Sequence, residues 1–178
     1  ERVLITGVGG GVALFAMQFA LALGAQVYAT SGSDEKAARV RSLGVSGTAN
    51  YRDPNWPAHL REQVPQGFDV IIDSAMGPGF QHLVELAAPG GRIAFLGFTA
   101  GGDVQVDVRP IYRKQLSILG TKMGSPRDFA AMVDLVESGG IQPIVDRALP
   151  LSRANEAYAI VDRGEQFGKI VLVNDLGD

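Results

Sequence analysis

The chain contains no cysteine. That excludes disulfides, thiolate zinc sites and a cysteine nucleophile among its own residues, and it suits a cytoplasmic setting. Histidine is scarce, with His59 and His82 the only two. Neither has a partner at metal-ligand spacing, so no zinc site is expected within the chain. No charge sign dominates: 16 Lys and Arg stand against 19 Asp and Glu, a net charge of −3. The basic face of a nucleic-acid binder is therefore not expected. Long hydrophobic runs are missing as well. The longest, residues 12–23, is broken only by Gln18; it falls well short of the ~20 residues that cross a membrane and reads as a buried helix. No basic leader with a cleavage site is seen, so neither a secretory nor a transit signal is expected. Glu1 and Arg2 leave no room for an element before the first strand, and the chain is expected to be part of something longer.

Glycine and aliphatic residues are what the chain has in quantity, with 23 glycines and 46% apolar residues in 178, enough for one well-packed domain. Short runs rich in Val, Ile, Leu and Phe recur at 3–6, 26–30, 49–51, 69–73, 92–97 and 116–121, the length of strands buried on both faces. Helix-length stretches lie between them, at 11–23, 34–43, 56–64, 79–87 and 109–114. Gly24 and Gly44 stand where helix C-caps belong, and Pro89-Gly90-Gly91 is expected to stop the fourth helix. Ser33 before Asp34 and Glu35 predicts a capped helix start. This alternation predicts an α/β fold, a Rossmann-type doubly wound parallel sheet of about six strands. Beyond Gly124 the rhythm changes, with helices predicted at 127–137 and 153–162, an extended piece at 143–145 and a strand at 169–173.

The opening "ERVLITGVGGGVALFA" joins a strand to a helix through glycines. Such a junction aims free backbone amides and the positive end of a helix dipole at one point, which suits a phosphate. Gly7, Gly10 and Ala13 fit the dinucleotide spacing, with Gly9 and Gly11 as extras and alanine in place of the last glycine. A tight turn without a ligand is the alternative, and the strand, helix and second strand around the glycines favour the phosphate.

These glycines, followed by "GAQVYATSGSDEK", "ANYRD", "GFDVIIDSAMGPGF", "LAAPGGRIAFLGFTAG", "KQLSILGTKMGS" and "QFGKIVLV", resemble the cofactor domain of the medium-chain dehydrogenase/reductases, the superfamily of zinc-type alcohol dehydrogenases and quinone oxidoreductases. The resemblance implies an NAD(P)-binding Rossmann domain over 1–124 and a unit over 125–178 that packs towards an N-terminal catalytic domain not found here. It implies an oxidoreductase moving hydride between a nicotinamide cofactor and an alcohol or carbonyl, a quinone or an activated alkene. Substrate groups and any zinc ligands would lie outside this chain, no catalytic residue can be named, and the chain alone is expected to be inactive. A homodimer through the sixth strand is expected, since its apolar edge carries little charge.

NAD-preferring Rossmann domains place an acid at the end of the second strand; here that position is Ser31. A small hydroxyl leaves room for a 2′-phosphate, and Lys36 and Arg52 could converge on it. The resemblance implies that Ser31, Lys36 and Tyr51 are NADPH-type positions, so NADP(H) is expected over NAD(H). Asp34 is the competing acid, although its place after Ser33 suits a helix cap. Arg39 and Arg41 read as a solvated helix face. The resemblance further implies that Gly7, Gly9, Gly10, Gly11 and Val12 cradle the pyrophosphate. Ala75 and Gly77 would line the adenosine path, Gly97, Phe98 and Thr99 the nicotinamide ribose, and Gly120 and Thr121 the carboxamide. Gly77 and Gly97 also read as plain turn glycines. Trp56 is expected to cover a helix start, and Asp69 and Asp73 to be strand-end hydrogen-bonders. Lys122 lies near the expected mouth of the site. A non-catalytic NADP(H)-sensing module and an S-adenosylmethionine methyltransferase are the alternatives; the second would need an acid where Ser31 stands.

Overall fold

The computed structural model describes residues 1–174, so the last four residues of the expected 125–178 unit lie outside the described ones. Strands and helices alternate: β1 (Arg2–Ile5), α1 (Gly11–Ala22), β2 (Gln26–Ser31), α2 (Asp34–Ser42), β3 (Gly47–Asn50), α3 (Trp56–Gln63), β4 (Phe68–Asp73), α4 (Phe80–Leu86), β5 (Ala87–Phe95), α5 (Val108–Lys114) and β6 (Ser117–Gly120). These strands form one parallel sheet in the order β3-β2-β1-β4-β5-β6. The order reverses between β1 and β4, and the carboxyl ends of that pair open a crevice for a ligand.

Alternation along β1 shows why helices cover both faces. Val3 and Ile5 pack with Ala13, Leu14 and Met17 of α1 and Val40 of α2. Leu4, pointing the other way, packs with Trp56 and Leu60 of α3 and with Phe80, Leu83 and Val84 of α4. A parallel strand buried on both faces needs such a continuous apolar run.

Three expectations change in detail. The apolar helix at 12–23 is buried on one face only, through Ala13, Leu14, Met17 and Ala20; Val12 is 62% and Leu23 72% exposed. Residues 89–91 do not end α4. The helix stops at Leu86 and the strand begins at Ala87, pairing with Phe68, and the Pro-Gly-Gly is absorbed as a bulge before Arg92 pairs with Val70. Ala87 is already extended at ψ 141°, and Ala88 after it precedes a proline, which bars it from the helical region. Arg39 is not merely solvated, because its guanidinium lies 4.0 Å from the centroid of the Phe167 ring, a cation–π contact.

After β6 the chain forms α6 (Pro126–Ser138), β7 (Val145–Pro150), α7 (Ala154–Asp162) and β8 (Lys169–Val173). Ser125 caps α6 through a reciprocal capping box with Asp128. Strands β7 and β8 pair in parallel as a separate two-stranded sheet. The segment leading into β8 returns to the start of the chain: Phe167 joins the core beside Val3 and Ile5, and the Gly168 amide donates to the Gly9 carbonyl at 2.9 Å.

Candidate functional site

The turn after β1 is held by its neighbours. The Thr6 amide donates to the Ile72 carbonyl at 3.0 Å and the Val8 amide to the Thr30 carbonyl at 2.7 Å, while the Gly7 amide donates to the Thr30 hydroxyl at 3.1 Å. Gly7 (φ +65°) and Gly9 (φ +152°) adopt conformations that side chains disfavour. Gly10 caps α1 without any side-chain acceptor, so the first-turn amides have no capping side chain. A Cβ on Gly9 would press to 3.3 Å on the stem of Lys36, and one on Gly11 would run into the stem of Lys169. Two lysines therefore flank the glycine turn.

A cleft of about 530 Å³ opens beside this turn, lined among others by Gly7, Tyr51, Trp56, Asp73, Ala75 and Thr99. Asp73 is 2% exposed. Its carboxylate accepts from the Thr6 hydroxyl at 2.5 Å and from the Met76 amide at 2.7 Å, so both oxygens serve the strand ends. Met76 sits at φ +53°, and this bond holds it there. Trp56 opens α3, is nearly buried in the core and meets the His82 ring edge-on at 5.6 Å.

A second cleft, of about 370 Å³, lies on the other side of Tyr51 and gathers Gly7, Gly9, Gly10, Ser31, Lys36 and Arg52. Ser31 is 2% exposed and its hydroxyl donates to the Val8 carbonyl at 2.8 Å. It keeps the position small, yet its proton is committed to the glycine turn. Asp34 lies outside the cleft lining, and one of its oxygens accepts from the Asn50 amide group at 3.1 Å. Ser33 caps α2 through the Lys36 amide at 3.2 Å, as the sequence predicts. The Lys36 ammonium donates to the Gly164 carbonyl at 2.5 Å.

The remaining candidates are dispersed. Val12 borders a small recess with Leu96. Gly77, Gly97 and Phe98 line neither cleft. A Cβ on Gly77 would sit 2.6 Å from the Ala100 carbonyl, and one on Gly97 2.8 Å from the Ser74 carbonyl. Both glycines thus let the loops after β4 and β5 cross closely, and Phe98 is 71% exposed. Gly120 and Thr121 stand at the end of the edge strand, where the Thr121 amide donates to the Phe95 carbonyl at 3.0 Å, away from both clefts.

Sequence reasoning missed Arg163, Gly164, Glu165 and Gln166, which form one wall of the second cleft, and Lys169 over Gly11. Nothing local marks them, because more than a hundred residues separate them from the glycines they meet. The Arg163 guanidinium donates to both Glu165 oxygens and holds that carboxyl below the usual range. His59 lies 3.4 Å from Asp53 and His82 3.9 Å from Glu85. Among the described residues no group of three His, Cys, Asp or Glu side chains could hold a metal, and no helix is long and apolar enough to cross a membrane.

Comparison with known proteins agrees with this architecture. The chain is 32% identical to a zinc-type alcohol dehydrogenase-like protein, YogA, of Leptosphaeria maculans over 97% of its length and 50% of the relative's. It is 28% identical to the quinone oxidoreductase of Mus musculus over 97% of its own length and 55% of that enzyme's. The crystal structure of an NAD-dependent alcohol dehydrogenase superposes with a TM-score of 0.88 at 35% identity, covering 97% of this chain and 50% of that one. That of a 2-octenoyl-CoA carboxylase reductase in complex with NADP and 2-octenoyl-CoA does so with a TM-score of 0.87 at 26% identity, covering 100% of this chain and 44% of that one. The chain spans about half the length of the curated relatives it matches. The zinc-binding dehydrogenase family profile matches residues 11–138, and the chain belongs to that family, within the medium-chain dehydrogenase/reductase superfamily.

Proposed function

We propose that this chain is the cofactor-binding portion of a cytoplasmic, dimeric oxidoreductase that moves hydride between NADP(H) and an alcohol or carbonyl, a quinone or an activated alkene. The observation that carries the reading is the glycine turn itself, an uncapped helix N-terminus set between Lys36 and Lys169 with a cleft on either side of Tyr51. A dinucleotide fits this plan. The pyrophosphate takes the turn amides, with the lysines as counter-charges, one cleft takes the adenine against Tyr51 and Trp56, and the other takes the ribose phosphate.

The bound nicotinamide would supply the hydride chemistry. The chain's own work is to hold the dinucleotide by its phosphates and to keep the crossing loops at Gly77 and Gly97 in one geometry. Asp73, with both oxygens engaged, orders the strand ends. The described residues offer no metal-held step, so zinc as used by zinc-type relatives would need ligands from elsewhere. Oxidoreductase names among the relatives support an enzyme over a non-catalytic NADP(H) sensor.

NADP(H) is favoured over NAD(H) by the small Ser31 in place of an acid, with Lys36 and Arg52 in the same cleft. Titration of the chain with NADPH, followed by Trp56 fluorescence, is expected to saturate with a lower Kd than NADH. Equal or tighter NADH binding would overturn the NADP reading, and no saturation with either would overturn the cofactor site. Ser31→Asp is a poor probe of this preference, because its carboxylate would face the Val8 carbonyl.

A further inference from the structure

Histidine is the side chain that changes charge between pH 5 and 8, and the chain has two, together with a single tryptophan. One of the histidines meets that tryptophan. The His82 ring, on α4, stands against Trp56 with centroids 5.6 Å apart and planes at 87°, the perpendicular arrangement that sets the positive edge of one ring on the negative face of the other. Trp56 lines the first cleft and His82 does not. The indole is thus a wall with the cleft on one side and an imidazole on another.

The surroundings of His82 suit a cation. Its Nδ1 lies 3.9 Å from Glu85 Oε2, one turn along α4, too long for a hydrogen bond and within reach of an ion pair. The other Glu85 oxygen accepts from the Gln81 side chain at 2.8 Å, which leaves Oε2 to the ring. The cations that α3 and α5 bring to this end of α4 are engaged with backbone. Arg61 donates to the Glu85 carbonyl, and the Lys114 ammonium donates to the carbonyls of Val84, Glu85 and Ala87. The second histidine, His59 on α3, faces a different carboxylate, Asp53, at 3.4 Å. A cation within about 6 Å of an indole ring is attracted to it, so a protonated His82 is held by Trp56 and by Glu85 together. A neutral imidazole has neither hold.

We infer that His82 is a positioning residue for the adenine end of the cofactor, acting through Trp56: its protonated form fixes the indole wall, and the adenine then binds more tightly. This rests on the cofactor reading above, in which the adenine lies against Tyr51 and Trp56. A wall already held in place costs less to order when the ligand arrives. By linkage, bound adenine favours the proton on His82 to the same degree.

The test has two stages, neither requiring turnover. Trp56 emission is first followed from pH 5 to 8 in the chain without ligand, since an imidazolium in contact with an indole quenches it. Emission is expected to fall in one step as pH drops; His82→Gln should lose the step and His59→Gln should keep it. Adenosine and NAD, which do not change charge in this range, are then titrated at about pH 5.5 and about pH 8. Both are expected to bind about two- to threefold more tightly at the lower pH, and equally at the two in His82→Gln. An absence of NADPH binding at any pH would sink the cofactor reading itself. NADPH binding together with adenosine affinity that ignores pH, or that follows pH equally in His82→Gln, would overturn this inference alone. So would tightening of NAD without adenosine, which marks a charge acting on the pyrophosphate from a distance, and so would adenosine that binds at neither pH. Should His82→Gln fail to fold, Glu85→Gln decides. Loss of that carboxylate is expected to move the emission step to lower pH, and an unmoved midpoint overturns the inference.

Discussion

Single side chains at the edge of the site set both its chemistry and its stability. Gly9 is the clearest case, with a backbone at φ +152° and Lys36 packed 3.3 Å from where a Cβ would be. Gly9→Ala is expected to cost about 1–3 kcal/mol in strain and to displace Lys36. A lower Tm together with weaker NADPH binding is the expected result; an unaltered Tm would remove the strain argument. At the other end of β1, Arg2 grips Asp69 with both its side chain and its backbone amide. The Arg2 guanidinium holds the Asp69 carboxyl below the usual carboxylate range. A carboxyl whose pKa falls on folding adds stability above its unfolded value, about 3.9, and loses it as pH drops through the lower folded value. Asp69→Asn should cost about 1 kcal/mol at pH 7, with the gap to wild type closing as pH falls below about 4. Urea melts across that range would test it, and a gap persisting at pH 2 would show that the cost is not ionic.

Elements depend on contacts their own sequences do not supply. Helix α4 ends without a glycine cap, and its last carbonyls are met by a lysine from another helix. The Lys114 ammonium, on α5, donates to the carbonyls of Val84 at 3.2 Å, Glu85 at 2.7 Å and Ala87 at 2.8 Å. Arg61 of α3 donates to the Glu85 carbonyl as well. Burial, helped by Arg61, pushes the Lys114 ammonium below the usual lysine value, yet three carbonyl acceptors satisfy it. Lys114→Met keeps the stem and removes the donors, and is expected to cost about 1–3 kcal/mol and to lower Tm by about 2–10 °C. Thermal melting within a degree of wild type would show that water replaces the lysine without loss.

At the scale of the molecule, β6 leaves one edge of the six-stranded sheet open. Its residues are exposed throughout, Ile118 and Leu119 among them, and an apolar edge of this kind invites strand pairing. A homodimer with paired β6 edges is the expected assembly, a two-fold arrangement in which the same strand serves both copies. Light scattering at tens of micromolar should report about twice the 18.8 kDa of one chain, and Leu119→Lys should return the monomer. A wild-type monomer under those conditions would refute the pairing. The same chain is expected to bind NADPH without processing alcohols, aldehydes or quinones, since loss of substrate positioning removes about 7–11 kcal/mol of barrier reduction. Ready turnover would direct attention to Lys122 and Tyr112.

The alternation of apolar runs and glycine punctuation was enough, read along the chain, for the doubly wound sheet, for the capped start of α2 at Ser33 and for the strand-end roles of Asp69 and Asp73. Each depends on residues a few positions apart or on a period the backbone imposes. Local signals also placed a glycine turn between β1 and α1, where the structure has it. They did not reveal that Ser31 spends its hydroxyl on Val8, that Val12 lies outside the clefts, or that Arg163 and Glu165 wall the second cleft. Those arrangements join segments far apart in sequence, and the packing of Phe167 into the core beside β1, with the Gly168 amide bonded to the Gly9 carbonyl, carries the final turn to the glycines. Local propensity acts over one turn of helix or one strand; which distant side chains then meet is decided by how the buried faces close on one another.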